Sequence, residues 1–130
     1  MTKTTNYEIS KKLAEIGFRT ETEKCWAKIR HSVSSEFNLV NLDFQVPHHC
    51  DEWVLSYDLE TLLDALPEKI KVGIDRTSQS KFYFDKISFG YAKEPKIEFQ
   101  FYCRIQENES LADTAGRLII LLHEKNLIKF

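Results

Sequence analysis

A chain of 130 residues with 42% hydrophobic, 29% charged and 12% aromatic content has the size and composition of one folded domain, which excludes a disordered segment and a fibrous repeat. Its net charge of −2 and the lack of a dense Lys/Arg stripe speak against direct nucleic-acid binding. The longest apolar run, Leu118 to Leu122, is too short to span a bilayer, and the opening MTKTTNYEIS has no signal-peptide core, so a cytoplasmic protein without membrane contact is expected.

In chain order, Thr5 to Ile16 predicts a first helix, with Thr5 and Glu8 as a capping box and Ile9, Leu13 and Ile16 as its apolar stripe. Gly17 ends it, and Phe18 packs back on the last turn. Alternation then takes over. Cys25, Ala27 and Ile29 fall on one side of a strand, with Lys24, Trp26 and Lys28 on the other, and Val40, Leu42, Phe44 and Val46 alternate with polar residues until Pro47. The segment YDLETLLDALP predicts a short helix with Asp58 as N-cap, Leu59, Leu62, Leu63 and Leu66 on one face, a Tyr57–Leu62 staple and Pro67 as its end. Three more strands follow: Ile70 to Ile74, Phe82 to Phe89 with a bulge or a turn near Asp85, and Ile97 to Ile105.

The clearest element is the last, ESLADTAGRLIILLHEKNLI. Ser110 caps it by accepting from the N–H of Asp113, Asp113 reaches back to Ser110, and Leu111, Ala115, Leu118, Ile119 and Leu122 recur at helical spacing. Ile120 and Leu121 widen the stripe until the helix must be buried; Asn126 takes the place that Gly17 has in the first helix, with Leu127 following. These elements predict one α+β domain over residues 1–130, in the order α-β-β-α-β-β-β-α. Its antiparallel sheet has four to five strands, with three helices packed mainly on one face.

Charge is uneven along the chain. Residues 31–68 contain no Lys or Arg but eight carboxylates: Glu36, Asp43, Asp51, Glu52, Asp58, Glu60, Asp64 and Glu68. Such a segment meets basic strands within its own fold, presents an acidic face to a basic partner, or, with all eight on one face, mimics a nucleic acid.

Chemistry-bearing residues are sparse. His48, His49 and Cys50, beside Asp51, are the only dense group of ligand types; a zinc site would need further ligands from elsewhere, and His31 and His123 have no helical partner. A Cys50 nucleophile with His48 or His49 as base would need a lowered thiol pKa, which Asp51 and Glu52 oppose. Cys25 and Cys103 sit in apolar alternating stretches and read as small buried hydrophobes, and the odd cysteine count without C-x-x-C predicts reduced thiols. Trp26, with Tyr83, Tyr91 and Tyr102, offers aromatics on a sheet face for stacking on a ligand, although such rings more often pair across strands. There is no Gly-rich phosphate loop, no G-x-S-x-G and no H-E-x-x-H. Neither a metal nor another cofactor is expected.

Three segments, EIGF, YDLETLLDALP and NESLADTAGRLIILLHEKNLI, give the chain a resemblance to a family of small uncharacterised proteins encoded by bacteriophages, prophages and other bacterial mobile elements. The resemblance implies a lineage and supplies no catalytic residue. It leaves three expectations for function: an accessory protein that binds another protein; a small enzyme or metal-binding protein centred on His48, His49 and Cys50; and an acidic inhibitor that mimics nucleic acid. Trp26 joins the loop residues as a candidate binding position.

Overall fold

The computed structural model describes residues 4–30, 36–43, 46–72, 78–84, 88–93 and 98–130. Their elements are α1 (Tyr7–Glu15), β1 (Lys24–Ile29), β2 (Asn38–Asn41), α2 (Val46–His49), β3 (Cys50–Ser56), α3 (Leu59–Ala65), β4 (Lys69–Val72), β5 (Ser78–Phe84), β6 (Ser88–Lys93), β7 (Glu98–Arg104) and α4 (Leu111–Glu124). The class is α+β. Where the alternation suggests one sheet of four to five strands, hydrogen bonding divides the described strands between two antiparallel sheets, ordered β2-β1-β3 and β4-β5-β6-β7. Period two tells which side chains share a face, and it carries no information about which strands pair.

Helix α1 starts later than its sequence suggests. Asn6 is the N-cap, accepting the Ile9 N–H at 2.8 Å, because the Thr5 hydroxyl is engaged elsewhere: it accepts the Tyr57 N–H at 3.1 Å and meets the Ser10 hydroxyl at 2.7 Å. The Thr5–Glu8 capping box is therefore replaced. Both helix ends behave as expected. Gly17 at φ 89° sends its N–H to Ala14 O and Phe18 sends its own to Leu13 O; Asn126 at φ 59° repeats the pair with His123 O, and Leu127 with Leu122 O. A left-handed residue lets two orphan carbonyls find donors at each end.

The middle of the chain departs most from the pattern. The strand expected to run from Val40 to Val46 ends at Asn41; Phe44 lies outside the described residues, and Val46 and Pro47 open the single turn of α2, where proline's missing N–H costs nothing. Strand β3 was invisible to period-two reading because its exposure runs buried, three exposed, two intermediate, buried, with a register shift against β1 that leaves Asp51 without an opposite residue. Helix α3 matches its prediction: Asp58 accepts the Thr61 N–H at 2.8 Å, Tyr57 and Leu62 are both buried, and Leu66 before Pro67 is extended. Strands β5 and β6 pair antiparallel with Phe84 opposite Phe89, so the chain reverses between them; Asp85 lies outside the described residues, as do Ile74 and Ile97.

The main core forms around α4. Ala115, Leu118, Ile119 and Leu122 are fully buried against Leu13 of α1, Leu62 of α3, and Phe89, Tyr91 and Cys103 of the four-stranded sheet. Burying four side chains of this size stabilises the fold by several kcal/mol, at about 1.5–3 kcal/mol for each large one. Helix α4 crosses α1 at Gly116, where an added Cβ would lie 2.6 Å from Ile9 Cγ2. A second, smaller cluster of Cys25, Ala27, Val46 and Cys50 lies on the three-stranded sheet, with Val40, Leu42 and Leu55 packed against it.

Candidate functional site

The three-stranded sheet and α2 beside it hold His48, His49, Cys50 and Trp26, but they do not bring those residues to one point. Cys50, the first residue of β3, is buried in the small apolar cluster, while His49, the last of α2, is exposed, and its carbonyl accepts the Arg30 N–H at 2.7 Å. His48 belongs to α2 by its backbone. Cys50 faces an apolar environment that holds a second thiol, Cys25, whose pKa is raised by burial first and then by the nearby Cys50 and Asp43. Burial likewise raises the Cys103 thiol, an effect to which Glu109 adds and which Arg117 opposes. All three cysteines are free thiols. Among the described residues no group of three or more His, Cys, Asp and Glu side chains is placed to hold a metal ion.

Trp26 is half-buried, and its indole N–H donates to the Thr5 carbonyl at 2.8 Å. That carbonyl also accepts from Ser56 Oγ at 2.7 Å and Ser10 Oγ at 3.3 Å, and Thr5, Ser10 and Ser56 are fully buried. Trp26 thus joins the segment before α1 to the sheet. Tyr91 is fully buried rather than on an open face, and donates to Pro67 O at 2.6 Å; Tyr102 is half exposed.

What the sheet does present is an apolar surface at the side of α1. Tyr7 and Phe37 stack with ring centroids 4.3 Å apart and an interplanar angle of 19°. They line an open groove of about 380 Å³ with Lys11, Glu52, Trp53 and Val54. Leu39 of β2 lies opposite Trp26 of β1, which in turn lies opposite Val54 of β3, so the three form one row across the sheet. Leu39 is 42% exposed; Trp53, 39% exposed, lies opposite Ala27 and so falls on the alternate side of the pleat from that row. Phe37 and Leu39 are two residues apart at the start of an alternating run, the one signal in the sequence that could have marked this surface.

The acidic segment is shared among several tasks. Asp51 pairs with Arg30 at 3.2 Å, Glu52 lies opposite Lys28 in the β1–β3 ladder, and Asp58 caps α3. A larger cleft of about 520 Å³ is lined by Thr4, Glu21, Glu23, Lys24, Asp58 and Thr61. No helix among the described residues is long and apolar enough to cross a membrane.

The chain matches no family model, and searches of the curated proteins and of the solved structures find no significant match.

Proposed function

We propose that this chain is an accessory protein of a bacteriophage or other bacterial mobile element that acts in the cytoplasm by binding another protein. The observation that carries the binding role is the open groove lined by the stacked Tyr7 and Phe37 together with Trp53, which is 39% exposed. Large apolar and aromatic side chains gathered around a groove are the usual anchors of a protein interface, whereas single exposed leucines are ordinary. The lineage rests on the three segments EIGF, YDLETLLDALP and NESLADTAGRLIILLHEKNLI.

The test compares immobilised wild-type chain with a Tyr7→Ser, Trp53→Ser variant in lysate of the native host. A protein retained by the wild type and lost from a variant of unchanged circular dichroism is the expected result. Retention of the same proteins by both, or of none, would count against the reading.

A further inference from the structure

The four-stranded sheet has a second side, away from α4. Ile70, Phe82, Phe89, Tyr91 and Cys103 belong to the main core around α4, so alternation puts their neighbours in each strand at the outward positions of the pleat. Two rows of cross-strand partners result. Lys69 stands opposite Lys81, which stands opposite Ala92, and Tyr83 stands opposite Gly90, which stands opposite Tyr102. Lys71 continues this side along β4, and Arg104 continues it along β7. Tyr102 is 51% exposed and Arg104 is exposed, whereas the small central residues Gly90 and Ala92 are buried between the flanking strands.

Lys69, Lys71, Lys81 and Arg104 thus share the outward positions, and no Asp or Glu of the four strands holds one. Lysine on an edge strand is ordinary, which accounts for Lys69 and Lys71. Lys81 is different. It is on the second strand, directly opposite Lys69, and like charges so placed are destabilising. Aromatic residues beside a glycine shield its backbone, which accounts for Tyr83 and Tyr102 but not for the cations around them. An anion along this side answers the charge, and an anion that carries flat rings answers the tyrosines as well. Single-stranded nucleic acid has both; a duplex keeps its ring faces inside the stack, and an acidic peptide has no row of rings. In the sequence the four cations are spread over residues 69–104, and strand pairing is what gathers them.

We infer that the outward side of the β4-β5-β6-β7 sheet binds single-stranded nucleic acid, with Lys69, Lys71, Lys81 and Arg104 serving its phosphates and Tyr102 its bases. The inference goes beyond the protein-binding reading, which concerns the other sheet. Fluorescein-labelled oligo-dT and oligo-U of about twelve nucleotides are the probes, with affinity read by anisotropy over a range of salt concentrations. At least one binds, more tightly than a duplex of the same length and more weakly as salt rises, and the tighter of the two names the preferred sugar. Tyr102→Ala weakens binding by about tenfold, the loss of one stacked base, and Tyr102→Phe keeps it. Lys81→Gln lowers the slope of log affinity against log salt by about 0.7 and raises the thermal midpoint of the free protein, because it removes a like-charge neighbour.

Binding of neither oligonucleotide, or equal or tighter binding of the duplex, would overturn the inference. Displacement by polyglutamate as effective as by unlabelled oligonucleotide would also overturn it, since an acidic protein would then fit this side equally well. So would full affinity in both Tyr102→Ala and Lys81→Gln. The Tyr7→Ser, Trp53→Ser variant keeps wild-type affinity for the oligonucleotides, and a loss there would place their site on the other sheet. A host protein retained through Tyr7 and Trp53 while no oligonucleotide binds leaves the protein-binding reading standing and removes this one alone.

Discussion

Asp113 Oδ1 accepts the backbone N–H of Asn6 at 2.7 Å, so a carboxylate in the first turn of α4 is bound to the N-cap residue of α1, 107 positions earlier in the chain. The expected return of Asp113 to Ser110 is replaced by this longer connection, while Ser110 Oγ still accepts the Asp113 N–H at 3.1 Å. One negative charge therefore sits near the positive ends of two helix dipoles. Asp113→Ala leaves the Asn6 donor without its partner and should cost about 1–3 kcal/mol; Asp113→Asn keeps an acceptor and should cost less. Urea midpoints of the two variants check the order, and equal midpoints for alanine and wild type would remove the connection from any account of stability.

Gly116 makes an opposite case to ordinary helix propensity. On an exposed helix, Gly→Ala stabilises by about 0.8–1 kcal/mol. Here the new methyl would meet Ile9 Cγ2 at 2.6 Å with Thr5 and Leu13 side chains beside it, so α1 must shift or Ile9 must change rotamer. Overpacking of this kind costs about 1–3 kcal/mol and outweighs the propensity gain. Gly116→Ala should thus lower the thermal midpoint, and the same substitution should cost less in an Ile9→Ala background, because alanine lacks the Cγ2 that the new methyl would meet.

Glu109 and Arg117 close the junction between β7 and α4. Arg117 Nε and Nη2 donate to the two Glu109 oxygens at 2.7 Å each, Nη2 also reaches Arg104 O, and Glu109 Oε1 accepts from Thr114 and from the Gln106 N–H. Burial opposes ionisation of Glu109, but these donors outweigh it and hold the pKa below the usual carboxylate value. A folded pKa below the unfolded one gives stability that is complete above the ordinary Glu range and is lost as pH falls through the lowered folded value. Glu109→Gln should therefore be less stable than wild type at neutral pH, by about 1–3 kcal/mol. The gap should narrow in acid, once the wild-type carboxyl is itself protonated. A gap that is constant from neutral to strongly acid pH would mean that the charge plays no part.

Helices α1, α3 and α4 were legible because their signals are local, whereas the single turn of α2 falls where the sequence alternates. Ser110, Asp58, Gly17 and Asn126 each decide a helix end through bonds to residues within five positions. Strand pairing is not local: β3 carries no alternation, and its place beside β1 depends on residues more than twenty positions away. The same limit applied to the candidate site. Adjacency of His49 and Cys50 suggested shared chemistry, but the junction of α2 and β3 falls between them and leaves one exposed and the other buried. The Tyr7–Phe37 stack, joining residues thirty positions apart, had no sequence mark beyond Phe37 preceding an alternating run.

Cys50 offers the sharpest chemical test of that junction. Its side chain packs with Cys25, Ala27 and Val46, an apolar cluster in which a thiol behaves as a small hydrophobe. Cys50→Ser would place a hydroxyl there and should cost about 1–3 kcal/mol, whereas Cys50→Ala leaves only a small void and should cost less. The native chain should also react slowly with a thiol-reactive disulfide reagent, since Cys25, Cys50 and Cys103 are all buried, and quickly after denaturation. Rapid native labelling at Cys50, together with a Cys50→Ser variant as stable as wild type, would place this thiol at the surface next to His49 and restore the loop as a candidate reactive site.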